Sequence, residues 1–345
     1  MESRVLPGPG PGGLPGFDAR ALADYYFYPG EFDGAGTSIA LVSLFGGYRR
    51  WDLETYFTAA FLPMPVIEDI SVDGARNDPD RDPDANVGLT RDLEVLGSVA
   101  PGGRLRVYFA PNNEQGIVDG IGSAVFDSGS DASVICLSWE IPENDVDGML
   151  VSSVQSDVQA ATMQGLIVCA PSGATTPGEP PFFPGVLPDV LSCGATWAAA
   201  AGDQLVERPA QGAADLTSTS AIIPRPDWQA DVGRGRRGRR DRGRLIPDVS
   251  CFAGGEQGLR CYVNGGWGSV CGSDAAACLW AGLLARIHQG TGRPWSPAFS
   301  LYTGLGQAGA LTPPGGPADS AQKEWEPGVG WGTPHGERLL ARLRA

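Results

Sequence analysis

Short continuous apolar runs alternate with longer stretches in which apolar residues return every three or four positions. Ser38–Leu44 (SIALVSL), Leu105–Ala110 (LRVYFA), Ser133–Trp139 (SVICLSW), Leu166–Ala170 (LIVCA) and Val190–Thr196 belong to the first kind and predict buried strands. Leu89–Val99, Ile117–Phe126, Met149–Met163 and Ala275–Ile287 carry helical stripes, and Phe17–Tyr28 reads as a short entry helix. Strands that are apolar throughout and separated by helices imply a parallel sheet covered on both faces, an α/β fold. From Ala201 to Asp248 the pattern weakens and predicts loops. Residues 1–16 read as a flexible Pro/Gly-rich tail and 17–345 as a single domain without repeats.

Composition narrows the picture. The 345 residues carry a net charge of −15, which argues against nucleic acid and anionic membrane as partners. No apolar run approaches the ~18 residues of a membrane span, and the N-terminus lacks a signal pattern. Against the acidic trend, residues 233–244 (GRGRRGRRDRGR) hold seven arginines. They read as a solvated loop, with docking of an acidic partner as the alternative. The seven cysteines match no zinc spacing. Cys136, Cys169 and Cys278 read as core residues, whereas Cys251, Cys261 and Cys271 lie nearer loops where pairing is open. An odd count leaves a thiol over, so a reducing, cytoplasmic setting is expected.

Candidate chemistry concentrates at the last helix. The turn Cys271-Gly272-Ser273-Asp274 places the Asp274 carboxylate beside the unsatisfied N–H groups of a helix start, a capping arrangement in its simplest reading. The two histidines support no Ser-His-Asp triad: His288 ends that helix and reads as a complement to its C-terminal dipole, and His335 lies in a Gly/Pro-rich stretch. The acidic run Asn77–Asp84 is spoiled as a calcium loop by its prolines.

From about Phe17 onward the chain resembles the mature domain of the sedolisins, the serine-carboxyl peptidases. The segments that carry the resemblance are IALVSLFGGY (39–48), SVDGARNDP (71–79), DLEVLGSVAPGGRLRVYFAPN (92–112), LSWEIPE (137–143), SCGAT (192–196), IPDVS (246–250) and CGSDAAACLWAGLLARI (271–287). The resemblance implies a subtilisin-like three-layer sandwich around a central, mostly parallel sheet. It also maps the family's catalytic groups. The helix aspartate matches Asp92. The glutamate one turn earlier falls on Gly88, the oxyanion aspartate on Pro171, and the nucleophilic serine on Asp274. A supporting glutamate of the first strand matches Ser43. Trp139 is retained, and the paired glycines of the substrate strand match Glu140 and Ile141, whose side chains are expected to crowd the channel. Ser172 and Ser273 complete the implied cleft, Ser273 being turned about 100° from the nucleophile position. Glu326 falls on an aspartate ligand of the family's calcium site, whose other aspartate has no clear match, so calcium is doubtful and no other cofactor is expected. The inhibitory prodomain is absent if Met1 is the initiator.

Three functions follow as expectations. The first is acid–base chemistry by Asp92 and Asp274, with Glu140 as a third group, on a small or peptide-like substrate, for example in specialised metabolism. The second is a pseudo-peptidase that binds a ligand or protein. The third is residual carboxyl-peptidase activity, weakened by the lost oxyanion group.

Overall fold

The structure is a computed structural model that describes residues 4–6, 15–44, 46–127, 129, 132–173, 178–201, 204–210, 219–232, 242–317 and 319–345. Seven parallel strands form its centre. In spatial order they are β12 (Val249–Gly255), β8 (Val190–Ala201), β6 (Ile167–Pro171), β4 (Ala132–Cys136), β1 (Ser38–Ser43), β3 (Arg104–Phe109) and β2 (Val66–Ser71). An eighth strand, β9 (Gln204–Pro209), pairs antiparallel with the end of β8. Every residue of β1 is buried, and its side chains alternate between two cores. Ile39 and Leu41 join α1 (Ala19–Tyr25), α2 (Arg50–Ala59), α3 (Pro83–Val99) and α6 (Ser273–Thr291) on one face. Ala40 and Val42 join α4 (Glu114–Phe126) and α5 (Gly148–Met163) on the other. The chain is thus a three-layer α/β sandwich, as its pattern predicts.

Smaller elements frame this body. The two-residue strands β5 (Ile141–Pro142) and β7 (Phe182–Phe183) pair, as do β10 (Thr219–Pro224) with β11 (Gly243–Leu245) and β13 (Leu259–Val263) with β14 (Gly266–Val270). A single turn, α7 (Pro297–Ser300), and the C-terminal α8 (Gly336–Arg344) follow. The region expected to be loops therefore contains β9, β10 and β11.

Two elements decide where the chemistry sits. Helix α3 starts at Pro83, six residues before its apolar stripe becomes regular. The Asp82 carboxylate accepts from the Ala85 N–H, and proline is tolerated in a first turn because its missing donor is an orphan there. Helix α6 is buried along nearly its whole length through Ala275, Ala276, Ala277, Ala281 and Ala285. Its Gly282 lets α3 approach closely: an added Cβ would lie 2.2 Å from Val99 Cγ2. This contact brings the α3 segment 88–92 beside the head of α6.

The tail expectation needs correction for residues 4–6. Arg4 donates to the carbonyls of Gly316 and Tyr25 and to Thr312 Oγ1, Leu6 is buried, and the Leu6 N–H bonds to Leu205. Residues 233–241 of the arginine run lie outside the described residues, but Arg244 departs from a solvated loop. It is fully buried and pairs with the buried Asp248 at 2.7 Å. Among the described residues no helix is long and apolar enough to cross a membrane.

Candidate active site

The head of α6 is shaped by Gly272. Its N–H bonds to the Ala253 carbonyl, and an added Cβ would lie 2.2 Å from Asp274 Oδ1 and 3.0 Å from Arg91 Nη1, so a larger residue would force the Asp274 carboxylate to shift. Asp274 Oδ1 accepts from the Ala275 N–H at 3.0 Å, which supports its reading as a group that satisfies the helix start, although Gly272 occupies the N-cap position itself. Its other oxygen, Oδ2, accepts a short hydrogen bond from Arg91 Nη2.

Arg91 is the residue that sequence reasoning missed. Its Nη2 reaches both Asp274 and Asp92, the latter at 2.6 Å, and its Nε adds a 3.1 Å bond to Asp92 Oδ1. Asp92 and Asp274 do come together, then, but bridged by one guanidinium nitrogen, Arg91 Nη2, and not as a bare carboxylate pair. Burial works against the charge of Arg91, while the two aspartates hold it protonated. Burial also pushes the Asp92 pKa up; Arg91 and the Ser138 hydroxyl oppose this, and Asp274 adds to it. Asp92 is sealed at 2% exposure, whereas the Asp274 side chain keeps 24% and remains reachable.

Glu140 comes from the segment between β4 and β5. Its Oε1 accepts from Ser273 Oγ at 2.9 Å, while Oε2 is buried without a hydrogen-bond partner among the described residues, as is Trp139 Nε1. Burial raises the Glu140 pKa to about 7; the Ser273 hydroxyl pulls against the shift, and the charges of Asp274 and Glu179 add to it. A proton is thus gained and lost near neutrality at a carboxylate already joined to a serine.

A cavity of about 300 Å³ opens beside these groups. Gly88, Asp92, Ser43, Trp139, Glu140 and Ile141 all line it, so most of the residues singled out in the sequence meet in one place. Among the described residues no atom lies within 4 Å of a Cβ added at Gly88. Pro171 and Ser172 lie at the end of β6, both buried, and are not part of the cavity wall. Ser172 Oγ is directed to the Gly173 carbonyl at 3.3 Å.

Several expected sites change. Glu326 is exposed and ends a tight turn whose backbone bonds run to Val329 and Gly330. Among the described residues no group of three or more His, Cys, Asp or Glu converges. His288 is half-buried, its Nδ1 has no hydrogen-bond partner among the described residues, and burial lowers its pKa, which works against a cationic complement to the helix end. His335 caps α8, its Nδ1 accepting from the Arg338 N–H, and burial brings its pKa down to about 4. Of the cysteines expected near loops, Cys251 and Cys261 are buried in strands and only Cys271 is exposed; all seven are free thiols.

No protein-family model matches the chain. It is 32% identical to kumamolisin of Bacillus sp. (strain MN-32) across 93% of its own length and 62% of that protein. Identity to sedolisin of Pseudomonas sp. (strain 101) is 23%, across 90% of this chain and 58% of that one. The chain therefore spans about three fifths of the length of these curated relatives. Among solved structures, Pseudomonas sedolisin, a serine-carboxyl proteinase complexed with two molecules of pseudo-iodotyrostatin, superposes with a TM-score of 0.77 at 18% identity, covering 96% of this chain and 99% of that one. A lanthipeptide protease gives 0.57 at 14% identity, covering 94% and 93%. The fold is that of the subtilisin-like peptidases. By sequence, the chain is a sedolisin-family relative.

Proposed function

We propose that this chain is an acid–base enzyme rather than a proteinase of the sedolisin kind, and that it acts on a small or peptide-like substrate in the cavity beside α3. The observation that carries the reading is Glu140, a cavity-lining carboxyl whose pKa is raised to about 7. A group that titrates at the working pH is present in both protonation states and transfers protons in either direction. Asp92 and Asp274 take a different part from the one their spacing suggests. Both are engaged by Arg91, so they form a fixed electrostatic frame and the proton traffic passes to Glu140. The cavity lies at the lower end of the volumes used for small ligands, which favours a compact substrate over an extended chain.

The shared guanidinium also supports a second reading. A carboxylate pair bridged by one guanidinium does not need a reaction to justify it, and a pseudo-peptidase that only binds would keep the same cleft.

A panel of small esters, amides and short peptides, followed from pH 4 to 9, separates the two. The acid–base reading expects kcat/KM to climb through an inflection near pH 7 as Glu140 ionises. It also expects Glu140→Gln to lose roughly 10²–10⁴-fold. Unchanged turnover in that variant would sink the reading, and ligand binding without turnover would favour the pseudo-peptidase. Cleavage of a quenched peptide library at acid pH that survives Glu140→Gln would restore proteolysis of the family kind.

A further inference from the structure

The cavity beside α3 carries charge of one sign. Val42, Leu44, Leu89 and Ile141 give it an apolar wall, and its charged groups are Asp92 and Glu140. No lysine, arginine or histidine is among the described residues that line it. Arg91 does not reverse this sign, because its buried guanidinium is already shared between Asp92 and Asp274 and takes no part in the lining. With Glu140 ionised, three carboxylates stand against that one cation.

Glu140 is also incompletely satisfied. Its Oε1 takes the Ser273 hydroxyl, whereas Oε2 is buried without a hydrogen-bond partner among the described residues. A buried carboxylate oxygen without a donor is costly, so a donor brought in from outside would be stabilising there. Trp139, the preceding residue, adds an aromatic surface to the same cavity, the kind of surface that attracts ammonium groups. An anionic ligand would meet like charge and no cation on this wall.

We infer that the cavity takes a compact organic cation, a small primary amine held as its ammonium, with Glu140 as counter-ion and Trp139 beside it. The inference names the substrate class of the site proposed above and rests on that reading of the cavity. The ammonium supplies the donor that Oε2 lacks, and the apolar wall receives the hydrocarbon part. A volume of about 300 Å³ suits a ring or short chain attached to the ammonium group.

The protonation of Glu140 sets the strength of the site. The charges around it are Asp274 on α6 and Glu179 ahead of β7, and Asp92 of α3, held by Arg91, shares its cavity. Burial and these carboxylates bring its pKa to about 7, so the counter-ion is present above that pH and lost below it. A bound ammonium favours the ionised form and pulls the value down.

Isothermal titration calorimetry of the full chain at pH 6 and 8 tests the inference with three probes of similar size: phenethylamine, 2-phenylethanol and phenylacetate. The amine stays protonated at both pH values, since alkyl amines titrate at about 10. Expected at pH 8 is binding of the amine at least about tenfold tighter than the alcohol, with phenylacetate weaker than either. The advantage of the amine should shrink at pH 6. Glu140→Gln should abolish it and leave the alcohol unchanged, whereas Gly88→Leu, which adds a side chain to the cavity wall, should weaken amine and alcohol alike. Circular dichroism reports whether each variant keeps the fold, and the pH dependence of the wild type decides the point if Glu140→Gln does not. Equal affinity for amine and alcohol overturns the inference. So does an amine advantage that is the same at both pH values or survives in a folded Glu140→Gln, and so does unchanged binding in a folded Gly88→Leu. Turnover separates the two levels of the argument. Turnover that depends on Glu140, without any preference for the amine, removes the cation site and leaves the acid–base reading standing. Amine selectivity as expected, without turnover of any compound, keeps the cation site and removes the acid–base reading.

Discussion

Arg91 carries one charge and faces two, and that imbalance governs the residues around it. With Asp92 and Asp274 ionised the trio is net negative, so a further ionisation at Glu140 is resisted by Asp274 as well as by burial. The arrangement predicts a large cost for removing the cation. Arg91→Met preserves most of the stem volume but leaves the buried Asp92 uncompensated beside a second carboxylate. Unfolding in urea at pH 7.5 should show a loss of about 3–5 kcal/mol, shrinking toward acid pH where protonation relieves the repulsion. A loss below 1 kcal/mol would mean that the triad contributes little to the folded state. Asp92, Asp274 and Glu140 were legible in the sequence because each falls on a position that the family resemblance marks. Arg91 was not, since an arginine adjacent to an aspartate on a helix reads as a solvated charge. Nor was the Ser273–Glu140 bond, which joins side chains 133 residues apart through packing that no local pattern encodes.

At the scale of elements, legibility followed burial only in part: β12 is buried yet was not predicted as a strand, its run VSCFAGG being interrupted by Ser250, Gly254 and Gly255. The strands β1, β3, β4, β6 and β8 are apolar on both faces and announced themselves, whereas β2 (VIEDIS) is half exposed along one sheet edge and passed unnoticed. The hairpin of β13 and β14 and the β10–β11 pair escaped for the same reason: their strands are short and lie outside the central sheet. Helix α3 was recognised from its stripe but not from its start, which depends on Asp82 and Pro83 in a run that resembles loop. That longer helix places Gly88 inside a regular segment with space around it, which is a testable liability. Glycine in a helix interior costs about 1 kcal/mol relative to alanine. An added Cβ at Gly88 meets nothing within 4 Å among the described residues, so no steric cost from them offsets the gain. Gly88→Ala should therefore stabilise the chain by up to about 1 kcal/mol in urea unfolding. Destabilisation instead would show that the cavity wall closes on this position.

For the whole molecule the parallel sheet, its two cores and its helical covers could be anticipated, because layer architecture follows from the order of apolar runs. The N-terminus could not, since a Pro- and Gly-rich segment gives no sign that Arg4, Val5 and Leu6 will dock 200 residues away on β9. Val5 bridges Val206 and the Leu6 N–H bonds to Leu205, so these residues cover part of the free side of β9. Nearby, the buried Glu207 has a pKa raised by burial. The hydroxyls of Thr196 and Tyr26 and the charge of Arg4 hold the shift down. Deleting residues 1–6 removes the burial of Leu6, worth about 1.5–3 kcal/mol, together with a cation that favours ionised Glu207. A raised carboxyl pKa in the folded state costs stability as pH rises from the unfolded value through the folded one. Without Arg4 that folded value rises further, so the window of loss extends to higher pH. The truncated chain should consequently be less stable than the full one at pH 5, show a wider deficit at pH 8, and self-associate more through the uncovered edge. Urea unfolding at the two pH values, with light scattering, checks all three. Equal deficits at both pH values would detach Arg4 from Glu207, and equal stability would show that the docked segment contributes nothing to holding β9 in place.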